Sequence, residues 1–260
     1  MKKKTTAPKI KAFKGKRPIT SLTAYDYYTA KYLEEAGIDF ILVGDSISMV
    51  VYGYETTLDA TMEMMCMHTD AVSRGAKNTL VVGDLPFMSY QSSVEKAIEN
   101  AGKLIMAGAG AVKLEGGLEF AITAERIIRA GIPVLGHIGM QPQSIHAVGG
   151  YKTAGKTEES EKYLIESAKA LEDAGCFGIV LEKVSSEASK KITETINIPT
   201  IGIGCGNTTD GQILVVNDIL GLYDEFTPPF VKKYANLKEN ILTAVKEYIS
   251  DVKEGNYPLR

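Results

Sequence analysis

The chain has 260 residues, of which 45% are hydrophobic and 23% charged, with a net charge of -3 and a pI near 5.8. This composition predicts a globular protein with a substantial core, and it offers no basic surface for nucleic acid. Gly, Asp or Lys interrupts the apolar runs well before the roughly 18 residues of a membrane span, so we predict no membrane association. The cysteines Cys66, Cys176 and Cys205 form no CxxC pair, which argues against disulfides and zinc and fits a reducing cytoplasm.

The first seventeen residues are basic and contain no acidic residue. Such a segment has the charge of a transit peptide, but it lacks the apolar stretch of a secretion signal. We predict a solvated N-terminal arm that leads into the first strand.

A unit of apolar strand, polar loop, amphipathic helix and glycine recurs along the chain. Because glycine accepts the left-handed conformation that commonly follows a helix, it predicts where each helix ends. The helix-ending pairs are Ala36-Gly37, Arg74-Gly75, Ala107-Gly108, Ala130-Gly131 and Ala174-Gly175. Strands are predicted to begin at Pro18, Asp39, Thr79, Ala111, Pro133, Gly178, Pro199 and Gln212, and the last of them runs to Asp218.

Three helices have clear patterns. Ser92 with Glu95 resembles a capping box, and it is followed by one apolar face made of Ala97, Ile98, Ala101, Leu104 and Ile105. Between Thr61 and Ser73, we interpret the stripe of Met62, Met65, Cys66 and Val72 as core rather than as a cofactor surface. The last helix, predicted over Phe230 to Val252, packs on its own barrel or on a neighbouring subunit, and the sequence leaves both open.

Strands that alternate with helices predict a parallel sheet with right-handed crossovers. Eight such units without a linker predict an α/β fold, a (β/α)₈ TIM barrel, rather than an open doubly wound sheet. We predict one domain over residues 1–260, with a short basic N-terminal arm and a C-terminal helix.

Polar residues stand where several predicted strands end, and the catalytic groups of such a barrel come from these ends. They are Asp45, Ser46, Asp84, Lys113, Glu115, His137 and Glu182. Because side chains two apart share one face of a strand, Lys113 and Glu115 are predicted to point into the barrel.

Asp45 and Asp84 predict a metal site. Neighbouring strands lie about 4.8 Å apart, so the two carboxylates can share one cation, with Glu115 close behind. An all-oxygen set favours Mg²⁺ over zinc. The alternative is a salt network in which these acids pair with Lys113 and Lys183.

Glu182 ends the sixth strand, across the barrel from strands two to four. We predict that it is a general base facing the substrate, helped by a pKa that burial raises. His137 either contacts substrate or is satisfied by backbone groups, and Cys205 is favoured as a small core residue. The long loop after the fifth strand, residues 139–156, is predicted to be a lid or a substrate-binding element.

Long motifs also carry a resemblance to a known family. They include ILVGDSISMVVYGYETT, VVGDLPFMSY, AGAGAVKLEGG, AGIPVLGHIGMQPQS, IVLEKV and IPTIGIGCGNTTDGQILV. In this order, from Lys14 to Tyr234, they closely resemble the ketopantoate hydroxymethyltransferases.

The resemblance implies a cytoplasmic, Mg²⁺-dependent barrel enzyme of pantothenate and coenzyme A biosynthesis. Such an enzyme transfers the one-carbon unit of 5,10-methylenetetrahydrofolate to 3-methyl-2-oxobutanoate and forms 2-dehydropantoate. The resemblance also implies a homo-oligomer, often a decamer. It assigns Asp45, Asp84 and Glu115 to the metal, Asp45, Ser46, Asp84 and Lys113 to the substrate, and Glu182 as proton acceptor.

Some positions depart from the family pattern. Cys205 stands at an alanine position, Thr209 precedes Asp210 where cysteine is frequent, and Asn217 replaces a frequent histidine of the eighth strand. These changes bear on the pocket and the folate contacts rather than on the reaction class. Two alternatives remain: a Mg²⁺-dependent oxoacid lyase or mutase of the isocitrate lyase and phosphoenolpyruvate mutase kind, and a catalytically silent barrel.

Overall fold

The computed structural model describes residues 4–150, 152–223 and 228–258. Within these ranges eight parallel strands close into a barrel in chain order, which confirms the predicted (β/α)₈ fold. The strands are β1 (Ile19–Thr23), β2 (Phe40–Val43), β3 (Leu80–Asp84), β4 (Ala111–Glu115), β5 (Val134–Gly139), β6 (Gly178–Glu182), β7 (Thr200–Ile203) and β8 (Gly211–Leu214).

Helices follow most of the strands. In chain order they are α1 (Ala7–Lys11), α2 (Tyr27–Ala36), α3 (Ile47–Val50), α4 (Met62–Gly75), α5 (Val94–Met106), α6 (Ala121–Arg129), α7 (Ile145–Val148), α8 (Glu158–Asp173), α9 (Ser186–Thr195), α10 (Val216–Ile219) and α11 (Leu237–Glu254). Short 3₁₀ turns cover Thr57–Asp59, Leu118–Phe120 and Pro142–Ser144.

The barrel core is made by alternate residues of the strands. All four residues of β2 are buried, as expected for a parallel strand covered on both faces. Residues near the start of each strand form one buried cluster, which includes Ile19, Phe40, Leu42, Leu80, Val82, Ala111, Leu135, Val180, Ile201 and Ile213. The apolar side chains therefore fill the amino end of the barrel and leave the carboxyl end to polar residues.

The N-terminal segment corrects the sequence prediction. Residues Ala7 to Lys11 form α1, and its Ala7 and Ile10 are 2% and 1% exposed within the barrel cluster. Lys14 Nζ also donates to Asp210 Oδ2 at 2.8 Å. The prediction of a solvated arm is wrong for this stretch, because two apolar residues among many lysines are too few to show a helical period.

Helices end at or directly beside all five predicted pairs, and four of the glycines adopt the left-handed conformation. Gly37, Gly108, Gly131 and Gly175 have positive φ between 89° and 103°. Gly75 instead is the last residue of α4, where an added Cβ would stand 2.2 Å from the Tyr27 carbonyl oxygen. That glycine is needed for the close approach of α4 to α2.

Two helical faces agree with the pattern, with one shift. The cap of α5 is Ser93, whose Oγ accepts from the backbone N–H of Lys96 at 3.2 Å, and not Ser92. Ala97, Ala101 and Leu104 of this helix are buried, as are Met65 and Val72 of α4. The interpretation of the methionine stripe as core is confirmed for these residues of α4.

The described residues form two compact units, one within residues 4–213 and one within residues 214–258. The prediction that one domain covers 1–260 stays a prediction. The eighth strand ends at Leu214, so Asn217 and Asp218 lie in α10 and not in a strand.

The C-terminal unit contains α10 and α11. The last helix begins at Leu237, seven residues after the predicted Phe230. The backbone N–H groups of Tyr234 and Ala235 donate to the Ile219 carbonyl, at 2.7 and 3.3 Å, instead of to carbonyls within a helix. The helical spacing of apolar residues continues through residues 230–236, but the backbone there is hydrogen-bonded to Ile219 and does not form a helix. None of the helices in the described ranges has the length and apolar character needed to cross a membrane.

Candidate active site

Strand register brings the predicted polar residues together at the carboxyl end of the barrel. Asp84 of β3 pairs in register with Lys113 of β4, and Glu115 of β4 pairs with His137 of β5. Asp45 follows the end of β2, where Val43 pairs with Gly83. The structure thus places Asp45, Asp84, Lys113, Glu115 and His137 in one buried group, each at most 5% exposed.

Lys113 is the cation of this group. Its Nζ lies 2.9 Å from Asp84 Oδ1 and 3.7 Å from Glu115 Oε1. Burial acts to lower the pKa of Lys113, but the charges of Asp84, Glu115 and Asp45 outweigh it and raise the pKa. Lys113 is therefore held as an ammonium, and the predicted salt network exists in part.

The three carboxyl groups exceed the charge that Lys113 supplies. Burial, followed by the charges of Asp84 and Glu115, raises the pKa of Asp45 well above its ordinary range. Burial also raises the pKa of Asp84, against the opposing charge of Lys113. For Glu115 the burial effect is outweighed by contacts with His137, Lys113 and the backbone N–H of Gln143, so its pKa is lowered.

This charge excess suits a divalent cation. Asp45 and Asp84 are adjacent, since the backbone N–H of Asp45 donates to Asp84 Oδ2 at 3.3 Å. Among the described residues no group of three or more His, Cys, Asp or Glu side chains is arranged to hold a metal. Two carboxylates nonetheless fit Mg²⁺, which usually keeps several waters and binds through one or two protein carboxylates plus substrate oxygens.

Glu182 lies on the other side of His137. His137 Nδ1 is 3.3 Å from Lys113 Nζ and 3.5 Å from Glu115 Oε1, while Nε2 is 3.4 Å from Glu182 Oε2. Nε2 makes no hydrogen bond with any residue in the described ranges. The histidine joins the acid group to Glu182 through side-chain contacts, which the sequence left open.

The environment of Glu182 suits a proton acceptor. Burial, with a contribution from the charge of Glu115, raises its pKa from 4.5 to about 7, although His137 and Lys113 oppose the rise. Its side chain is 18% exposed, so it retains access to the barrel mouth. A base whose pKa is near the working pH is effective in general base catalysis.

Ser46 lies at the start of α3, directly after Asp45. Its Oγ is 2.8 Å from the hydroxyl of Tyr25, which follows β1. The backbone carbonyl of Tyr25 in turn lies 2.5 Å from His68 Nδ1, and His68 Nε2 lies 2.9 Å from the Tyr52 hydroxyl. Ser46 is thus positioned by a neighbouring strand end, and His68 has a structural role.

The loop after β5 is anchored to the site at both ends. The backbone N–H of Met140 donates to the Glu182 carbonyl at 2.8 Å, and that of Ala154 donates to the Lys183 carbonyl at 2.9 Å. Lys183 has a φ of 44°, a left-handed conformation that costs a non-glycine residue about 1–3 kcal/mol. The backbone that follows Glu182 is therefore held by this loop.

Sequence reasoning missed Gln143, Tyr90 and Tyr25. Tyr90 accepts from the backbone N–H of Glu115 at 3.1 Å, and Gln143 donates to Asp45 Oδ2 at 2.9 Å. All three lie outside the strands and α-helices, where no periodicity places a side chain. Cys205 is 1% exposed, and burial raises the pKa of its thiol to about 11, in agreement with the predicted core role.

A closed parallel barrel with buried acids, an ammonium and a raised-pKa glutamate at its carboxyl end has the architecture of a barrel enzyme. The family model described as ketopantoate hydroxymethyltransferase matches residues 4–260. The chain belongs to this family, and it is a hydroxymethyltransferase.

Curated relatives carry the name 3-methyl-2-oxobutanoate hydroxymethyltransferase. The chain is 57% identical over 241 residues to the protein from Enterococcus faecalis, covering 92% of this chain and 88% of the relative. Identity is 55% over 251 residues to the one from Pseudothermotoga lettingae, covering 96% and 95%. It is also 55% over 258 residues to the one from Syntrophus aciditrophicus, covering 98% and 95%.

Solved structures with lower identity share the fold. A 2,3-dimethylmalate lyase of the PEP mutase/isocitrate lyase superfamily is 16% identical with a TM-score of 0.62, over 98% of this chain and 90% of that one. A phosphonomutase-like protein from Burkholderia cenocepacia is 16% identical with a TM-score of 0.64, over 96% and 98%. The likeness to the lyases and mutases extends to the fold alone, so the family match decides against those alternatives.

Proposed function

We propose that this protein transfers a hydroxymethyl group from 5,10-methylenetetrahydrofolate to 3-methyl-2-oxobutanoate and forms 2-dehydropantoate, with Mg²⁺ as its metal. The observation that carries this proposal is the separation of two kinds of carboxyl group around His137. Asp45, Asp84 and Glu115 form an excess of negative charge on one side, and the raised-pKa Glu182 lies on the other.

Asp45 and Asp84 would hold the cation, with Glu115 nearby. When bound, Mg²⁺ supplies a Lewis acid that stabilises negative charge on the keto oxygen of the oxoacid. The protein contributes the charge excess and the fixed orientation of the carboxylates. The Lys113 ammonium, held beside Asp84 at 2.9 Å, limits repulsion within the group and provides a cation for the substrate carboxylate.

Ser46 is assigned to the substrate carboxylate. Its hydroxyl lies at the start of a short helix, 2.8 Å from the Tyr25 hydroxyl, so its direction is constrained. If Ser46 and Lys113 bind the substrate carboxylate, its C3 atom would be left for a base from another strand end.

Glu182 is the proposed base that removes the proton from C3 of the oxoacid. Its carboxylate is partly desolvated, and a positioned base of this kind contributes about 10²–10⁴-fold to a rate. The enolate that forms then attacks the methylene carbon of the folate as one of its two C–N bonds breaks. Water replaces the second C–N bond and supplies the product hydroxyl, and tetrahydrofolate leaves. Proton removal precedes that attack, so it can be observed without the folate.

The test is exchange of the C3 proton of 3-methyl-2-oxobutanoate into deuterated solvent, followed by NMR with Mg²⁺ present. We expect Glu182→Gln to reduce the exchange rate at least 100-fold while oxoacid binding is retained, because the amide keeps the shape but is not a base. Glu187→Gln, the same change on the exposed start of α9, should exchange like the wild type. Unchanged exchange in Glu182→Gln would remove Glu182 from this role.

The co-substrate and metal are tested by measuring 2-dehydropantoate formation with each omitted in turn. The proposal requires that product appears only with both Mg²⁺ and methylenetetrahydrofolate. Product formed without the folate would contradict the proposed donor.

We further propose a cytoplasmic homo-oligomer in pantothenate and coenzyme A biosynthesis, a decamer by family resemblance. Support comes from the family match and from α11, whose Ile241, Val245 and Tyr248 recur at helical spacing and form an apolar stripe. Light scattering of the purified chain gives the subunit number, and a monomer would contradict the oligomer.

A further inference from the structure

Gln143 is a buried polar residue in the loop after β5, and it is 4% exposed. It lies in the 3₁₀ turn Pro142–Ser144, 98 residues along the chain from Asp45. Burying an amide costs free energy unless its donors and acceptors are hydrogen-bonded. The hydrogen-bond partners of Gln143 therefore indicate its role.

The side-chain amide of Gln143 has partners on both of its ends. Nε2 donates to Asp45 Oδ2 and to the Leu85 carbonyl, each at 2.9 Å. Oε1 accepts from the Tyr90 hydroxyl at 3.0 Å and from Gln91 Nε2 at 3.1 Å. Because a carbonyl can only accept, the contact with Leu85 fixes the nitrogen on the side of Asp45.

The backbone of Gln143 contacts a second acid of the site. Its N–H donates to Glu115 Oε2 at 3.1 Å. One loop residue therefore holds two of the three carboxyl groups assigned to the metal. These bonds orient the carboxylates and, equally, tie residues near 143 to the barrel mouth.

We propose that Gln143 is a positioning residue: it orients Asp45 for cation binding and couples the order of residues 141–148 to occupation of that site. This inference rests on the proposed function, since it requires that the acid group binds a divalent cation. Outer hydrogen-bond partners of metal ligands typically change metal affinity 10–100-fold when they are lost.

The first test is calorimetric titration of the full-length protein with Mg²⁺ alone. Gln143→Met keeps the length of the side chain and removes the amide, and we expect it to weaken Mg²⁺ binding 10–100-fold. Gln141→Met is the matched control, because Gln141 lies in the same loop and its side chain contacts Ser144 Oγ at 3.5 Å instead of a site acid. The control should stay within about twofold of the wild type, since it leaves the Asp45 contact intact.

Equal Mg²⁺ affinity in Gln143→Met and wild type would overturn the inference while leaving the proposed function in place. Absence of Mg²⁺ binding in the wild type would instead contradict the proposed metal, and the inference would fail with it. Circular dichroism establishes that each variant is folded.

A second test uses the wild-type protein, so it does not depend on the folding of a variant. Hydrogen exchange of the peptide covering residues 141–148 is measured with and without Mg²⁺. We expect several-fold slower exchange in the presence of Mg²⁺, because the loop shares its bonds with Asp45 and Glu115. Exchange that Mg²⁺ does not change, while calorimetry shows that Mg²⁺ is bound, would overturn the coupling.

Discussion

Glu182 acquires its chemical character from what surrounds it. A glutamate in water is ionised above a pH of about 4.3, and at neutral pH its affinity for a proton is too low for a strong base. Burial at the end of β6 raises its pKa to about 7, and Glu115 contributes through its charge. His137, 3.4 Å away, acts to lower this pKa. Glu182 is therefore still partly ionised near neutral pH.

A pH profile follows from that pKa. Only the ionised carboxylate accepts a proton, so the C3 exchange rate should increase about tenfold per pH unit below a pH of about 7 and level off above it. The measurement is the initial exchange rate between pH 5 and 9 at saturating oxoacid and Mg²⁺. A rate that stays constant between pH 5 and 6.5 would contradict a base with this pKa.

The same environment has a cost in stability. The pKa of Glu182 is raised in the folded state, from 4.5 to about 7. Protonation of Glu182 therefore contributes to the free energy of unfolding in full below pH 4.5, and this contribution is lost as the pH rises through 7. At 1.36 kcal/mol per pKa unit, the stability lost between low and high pH is about 3 kcal/mol at most.

Glu182→Gln should therefore stabilise the metal-free protein by up to about 3 kcal/mol at pH 8.5, and by much less at pH 4.5. Urea unfolding in the presence of a chelator measures this difference. Glu187→Gln serves as the control that removes an exposed carboxylate without removing a buried charge. Equal effects of the two substitutions at pH 8.5 would contradict the burial argument.

At the scale of elements, the end of β5 and the end of β6 are fitted to each other. Gly139 has a φ of 105°, and a Cβ there would stand 2.3 Å from the Glu182 carbonyl oxygen and 2.6 Å from Val184 Cγ2. The next residue, Met140, donates its N–H to the same carbonyl. The backbone of Glu182, the proposed base, is thus packed directly against the start of the loop.

Gly139→Ala should displace Glu182 and lower the C3 exchange rate by about 10²-fold, since a misplacement near 1 Å can cost this much. Gly131→Ala is the matched control, because Gly131 also has a positive φ, 92°, but an added Cβ meets nothing within 4 Å. The control should lose about 1 kcal/mol of stability and retain its exchange rate. Similar exchange rates in the two variants would show that the added Cβ at residue 139 does not displace the Glu182 carboxylate.

At the scale of the whole barrel unit, the polar and apolar residues occupy opposite ends. The amino end is filled by strand residues such as Phe40 and Leu80, and Ile10 of α1 packs into the same cluster. The carboxyl end can then hold acids and an ammonium without loss of the core. Since apolar packing determines the strand geometry, the amino end supports the site that lies above it.

Ile10→Ala tests the contribution of α1 to the barrel. A fully buried isoleucine typically costs about 2–5 kcal/mol when truncated, so we expect a loss in this range in urea unfolding. Lys9→Ala, on the exposed side of the same helix, should change stability by less than about 0.5 kcal/mol. If the two variants unfold at the same urea concentration, the helix does not stabilise the barrel.

Local sequence patterns predict much of this architecture. Apolar runs such as Ile41 to Val43 and the glycines after the helices predict eight strand–helix units, because strand and helix periods depend only on nearby residues. The acids at strand ends are predicted in the same way. Their sequence positions also predict that Lys113 and Glu115 face one side, since alternation along a strand is fixed by its geometry.

Other features of the site and the core could be seen only in the tertiary structure. The sequence alone determined the barrel, the family and the acids, because these depend on periodicity and on motifs that are contiguous in the chain. Only the tertiary structure decided that α1 enters the core, that His137 lies between Glu115 and Glu182, and that Gln143 reaches Asp45. Such contacts join residues as far apart as 98 positions, and they depend on strand register and loop path, which no local pattern encodes.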